Sequence, residues 1–118
     1  MEITFYDSQG APIAYTQDGV HIYLFSGQPV AHLSGTSVYS FGGRHLGRFE
    51  NGWVRDNNGS CVFFTKDAQG GPLKPLKQLK PLKSLKQLKP LKSLKELKPL
   101  RPLNSLSWSR LSGRQFFT

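Results

Sequence analysis

The chain has one cysteine, Cys61, so no disulfide can form within one copy and no cysteine-based metal cluster can form within one chain. It has no apolar run approaching the roughly 20 residues that a membrane-spanning helix needs. Its start, Met1-Glu2-Ile3-Thr4, lacks a basic stretch followed by a long apolar one, so no ordinary secretory leader is expected and a cytoplasmic protein is the expectation. Phosphate-binding loops, paired zinc motifs and dinucleotide fingerprints are missing, and Gly42-Gly43 reads as a hairpin turn. Acidic residues are scarce in one part only. Residues 72–118 set twelve cations against Glu96 alone, a net of +11, whereas residues 1–71 sum to −2. The basic character therefore belongs to the C-terminal part of this 118-residue chain.

Glycine, by contrast, is regular. Turn signals fall at Gln9-Gly10, Asp18-Gly19, Ser26-Gly27, Ser34-Gly35, Gly42-Gly43, Asn51-Gly52 and Asn58-Gly59. The segments between them are rich in Ile, Val, Tyr, Phe and Thr, which suit a half-buried pleated surface. This beat predicts an all-β meander of about eight short strands. Every other glycine opens a similar phrase: GAPIA, GQPVA, GRHLG and GSCVF. Upstream stand Phe5, Ile22, Val38 and Val54, each followed by Tyr6, Tyr23, Tyr39 or, in the fourth unit, Arg55. Downstream stand Ala14, Ala31, Gly47 and, again departing, Phe63. The head, residues 1–66, thus reads as four pseudo-repeated hairpins stacked on one another. A closed barrel and an open rosette both fit this pattern.

After a linker at residues 67–72 comes a triplet repeat, residues 73–106. Leucine recurs at every third position: Leu73, Leu76, Leu79, Leu82, Leu85, Leu88, Leu91, Leu94, Leu97, Leu100, Leu103 and Leu106. The next position holds Lys74, Lys77, Lys80, Lys83, Lys86, Lys89, Lys92, Lys95 and Lys98, then Arg101, Asn104 and Ser107. An α-helix would wind such a stripe around its axis and is broken by the internal prolines. A flat strand would scatter it onto both faces. Polyproline II keeps three residues per turn and accepts proline, so an extended tail of that kind is expected. A narrow solenoid with nine residues per coil is the runner-up, suggested by Pro81, Pro90 and Pro99. Ordering such a tail is expected to require covering its leucine edge, most simply by other copies. Residues 107–118 bring Trp108, Phe116 and Phe117, expected to anchor the tail on the head or on a neighbouring subunit.

Four glycine-marked hairpins, an (L-K-x) repeat, the phrase Ser105-Leu106-Ser107-Trp108-Ser109 and the pair Phe116-Phe117 resemble bacterial proteins described as four-fold β-flower proteins. The resemblance spans nearly the whole chain. It implies hairpins arranged as petals and an oligomer, and it implies no activity.

The expected function is therefore a non-enzymatic homo-oligomer, a tetramer being the favoured size, assembled through the twelve leucines with Trp108, Phe116 and Phe117. The alternative is a polyanion-binding module, for nucleic acid or anionic membrane, using the nine lysines and Arg101. The lack of interleaved aromatics counts against base stacking. No cofactor, metal or small-molecule substrate is implied. His21, His32 and His45 fall in three different predicted strands, and Cys61, His45 and Asp56 sit in adjacent hairpins as a candidate nucleophile–base–orienter set whose geometry the spacing does not fix.

Overall fold

Strands form here where β-branched and aromatic residues run between glycine turns. The computed structural model describes residues 2–111 and 113–118. Its strands are β1 (Ile3–Tyr6), β2 (Pro12–Thr16), β3 (His21–Leu24), β4 (Pro29–Ser34), β5 (Ser37–Tyr39), β6 (His45–Glu50), β7 (Trp53–Asp56) and β8 (Cys61–Phe64). A 3₁₀ turn, Gly113–Phe117, follows. Each strand pairs antiparallel with the next, and β1 meets β8 through Tyr6 and Phe64, closing a barrel. The expected meander of stacked hairpin repeats is thereby corrected. An open row of eight strands would leave two edges of unpaired backbone, and closure removes both.

The repeat columns of the sequence are cross-strand partners. Phe5 faces Ala14, Ile22 faces Ala31, Val38 faces Gly47 and Val54 faces Phe63. All but Gly47 belong to one buried core cluster, with Leu46 and Val62. An eight-stranded barrel leaves room inside for little more than side chains, and a large residue opposite a small one fills it. A register shift follows at the same place in every hairpin, before Tyr6, Tyr23, Tyr39 and Arg55. Such bulges re-aim the side chain beside them. Alternation sends Tyr15 to the face opposite Ala14, and there it joins Tyr23 and Phe25 in a separate cluster.

Residues 73–105 form neither helix nor strand. They run past the barrel's turns as a belt, held by hydrogen bonds to Gly10, Phe25, Gly27, Phe41, Gly43 and Gly59. The expectation of a triplet-repeat tail in extended, polyproline II-like form or as a narrow solenoid is overturned. Six belt N–H groups find carbonyl partners on the barrel, which ties the segment down without a coil of its own. After the belt, the chain completes the short seam beside β8. The Cys61 N–H donates to Ser107 O (2.9 Å), the Ser109 N–H donates to Cys61 O (2.7 Å), and Trp108 bridges parallel to Cys61. The molecule is a disc of 36 × 35 × 24 Å.

Candidate functional site

The belt meets the four equivalent turns in register, nine belt residues for each hairpin. The N–H groups of Gln78, Gln87, Glu96 and Ser105 donate to the carbonyls of Gly10, Gly27, Gly43 and Gly59, at 2.8, 2.9, 2.8 and 3.1 Å. The carbonyls of Leu76, Leu85, Leu94 and Leu103 press on the same glycines. A Cβ on Gly27 would stand 2.0 Å from Leu85 O, and the residue has φ +95°, so glycine is required there twice over.

In three units, the residue just before the hydrogen-bonded position places its side chain on the ring re-aimed by the bulge. The Lys77, Lys86 and Lys95 ammonium groups lie 5.9, 4.7 and 5.7 Å from the ring centres of Tyr6, Tyr23 and Tyr39. These are cation–π distances, and the lysine stems cover the rings. In the fourth unit both partners change together. Arg55 replaces the tyrosine and Asn104 the lysine, and the guanidinium Nη1 donates to Gly59 O (2.8 Å) and Ser105 O (2.6 Å). Between these points Lys83 pairs with Glu2 at 3.0 Å and lies 5.2 Å from the Tyr15 ring centre, and Arg101 pairs with Glu50. Burial alone would raise the Glu2 pKa, but Lys83 holds it below the usual carboxylate range. Lys74 donates to Ala68 O at 2.8 Å. Lys80, Lys89, Lys92 and Lys98 make no ion pair among the described residues.

With many of its cations engaged on the barrel, the belt turns its leucines away from it. The eleven leucines from Leu73 to Leu103 are each 92–97% exposed, and Leu106 is 71% exposed. Hydrophobicity alone predicts the opposite sidedness. Trp108 packs on Trp53 and Phe64. Phe116 is buried against Phe63, edge to face, and Phe117 stacks on Phe63. The C-terminal aromatics thus dock on the barrel of their own chain. The fourth unit's Phe63, which departs from the Ala/Gly column, is their seat. Gly47 leaves room for Phe116, whose Cζ would lie 3.1 Å from a Cβ there.

The nucleophile set suggested by Cys61, His45 and Asp56 is not assembled. Cys61 is buried, which pushes its thiol pKa up, and Asp56 accepts from the N–H groups of Asn58 and Ser60 and from the Ser109 hydroxyl. His45 instead bridges Asn57 Oδ1 (2.8 Å) and Ser37 Oγ (3.0 Å), a Ser–His–Asn chain that sequence spacing did not disclose. Ser37 and His45 are 1% and 2% exposed, so the chain ties β5, β6 and the β7–β8 turn together and offers no hydroxyl to solvent. Burial lowers the His45 pKa and so favours the neutral ring, against the opposing pull of the hydrogen bond to Asn57. His21 and His32 are partners on β3 and β4, while His45 lies apart on β6. A cleft of about 880 Å³ beside Arg44, Asp56, Trp108 and Leu111, lined by polar and apolar residues alike, is open and gathers no set of groups around one reacting atom. Among the described residues no group of three or more His, Cys, Asp or Glu could hold a metal ion, and no helix is long and apolar enough to cross a membrane.

The most distinctive surface is thus the leucine rim. A model of the family described as 4-fold beta flower protein matches residues 3–117. No curated protein and no solved structure matches the chain.

Proposed function

We propose, from the premise that this chain belongs to the 4-fold β-flower family, that it is a non-catalytic interaction module that self-associates through its leucine rim. One observation carries the reading: eleven leucines stand 92–97% exposed on a backbone already tied to the barrel. A buried leucine is worth about 1.5–3 kcal/mol at roughly 25 cal/mol per Å², so each offers about 60–120 Å² of apolar surface. Summed along the belt, eleven offer on the order of 1,000 Å². A second copy carries the same stripe, so leucine can meet leucine across a symmetric contact. Because the fixed belt no longer loses backbone freedom on contact, more of that burial appears as affinity. The four-fold repeat lies within one chain, so it sets no subunit count.

Lysines flank the leucines and repel those of another copy, so salt should favour the contact by screening them. Light scattering coupled to gel filtration is expected to give a multiple of 13.2 kDa that grows with salt. The double variant L85S/L94S should shift the protein toward monomer. A mass of one chain at every concentration and salt level would end the proposal.

A further inference from the structure

We infer that the leucine rim also seats on anionic lipid bilayer surfaces. The inference rests on the reading of that rim as a contact surface and gives it a second partner. The rim poses two demands together. Its leucines need apolar surroundings, and the cations beside them need negative charge, since residues 72–118 carry +11. A second copy meets the first demand and opposes the other. Nucleic acid meets the other and leaves the leucines in water, while the rings of Tyr6, Tyr15, Tyr23 and Tyr39 that could stack bases are buried. A bilayer containing acidic lipid meets both: acyl chains at the headgroup boundary take the leucines, and phosphates just above them take ammonium groups on flexible stems.

The belt leaves cations for that purpose. Lys89 and Lys98 make no ion pair, hydrogen bond or ring contact among the described residues. Each directly follows a fully exposed leucine, Leu88 at 96% and Leu97 at 94%. Each precedes a proline, Pro90 or Pro99, which holds the lysine's own backbone to extended conformations. The Arg48 Nη2 donates to Pro99 O at 2.8 Å, tying this stretch of belt to the barrel. Leucine and lysine are therefore presented together on a held backbone, and little ordering remains for the moment of contact.

The test is flotation of the full chain with vesicles of phosphatidylcholine, with and without phosphatidylglycerol, at rising salt. Binding is expected only with phosphatidylglycerol and should weaken as salt rises, opposite in sign to self-association. The charge reversal K89E/K98E should weaken it about 25-fold or more, at about five-fold for each lysine lost. L88S/L97S should weaken it about ten-fold or more, with near-ultraviolet circular dichroism of Trp53 and Trp108 unchanged. Free glycerol phosphate should not compete, which separates a lipid surface from a soluble phosphate ligand. Equal binding to neutral vesicles, unchanged binding by the leucine variant, or binding to duplex DNA that survives L88S/L97S while acidic vesicles are ignored would each overturn the inference. A protein that floats yet stays monomeric in light scattering would remove self-association alone. An oligomer that never floats would remove the bilayer alone.

Discussion

At the scale of single residues, the exchange at Arg55 and Asn104 reveals how belt and barrel recognise each other. Three units pair an aromatic ring with an ammonium group, and the fourth pairs a guanidinium with belt and turn carbonyls. A lysine at 104 would bring a second cation to Arg55. N104K is therefore expected to destabilise by about 1 kcal/mol, and R55Y/N104K to regain most of it by restoring the other units' pairing, read from urea midpoints as a double-mutant cycle. G27A meets both a left-handed φ and the Leu85 carbonyl, so it should cost about 1–2 kcal/mol from conformation alone. Hydrogen exchange should speed first at the Gln87 amide, which Gly27 O accepts. His32 and His45 have folded pKa values lowered by burial, His32 further by the charges of Lys92, Lys95 and His21. The unfolded chain therefore takes up protons first. Stability is fully present above the unfolded value near about 6.5 and is lost as pH falls toward the lower folded values. The thermal midpoint should drop on acidification from neutral pH, and H32F should flatten that slope.

At the scale of elements, much of the barrel could be read from the sequence and much of the belt could not. Phe5, Ile22, Val38 and Val54 form one readable column and Ala14, Ala31, Gly47 and Phe63 another, because strands alternate and the turns keep time. Closure was not readable, since periodicity describes each hairpin and is silent about which edges meet. The belt's leucines all stand exposed, and a triplet period does not say which side meets the barrel. That choice is made by four glycines that admit a carbonyl and by tyrosines that attract ammonium groups. The nine-residue rhythm of Pro81, Pro90 and Pro99 held the clue: it is the length of belt per hairpin. The belt hides Tyr15, Tyr23, Phe25, Tyr39 and Phe41, which are 8% exposed or less. Removing residues 72–118 should therefore bare these rings, raise binding of an apolar dye and lower solubility, as checked by dye fluorescence and sedimentation.

At the scale of the whole molecule, a −2 barrel wears a +11 C-terminal segment, and the disc's leucines and cations are offered to the outside by one continuous stretch of chain. The two proposed contacts, self-association and lipid binding, would compete for that stretch with opposite salt responses, so ionic strength is expected to select between them. The hoop that holds the staves is made after them. Translation adds about 5–20 residues each second, so the 47 residues after Gly71 take on the order of 2–9 s to emerge. Throughout that interval the nascent petals stand with their tyrosines bare and their seam unfilled, and a ribosome that pauses there holds a cask with no hoop.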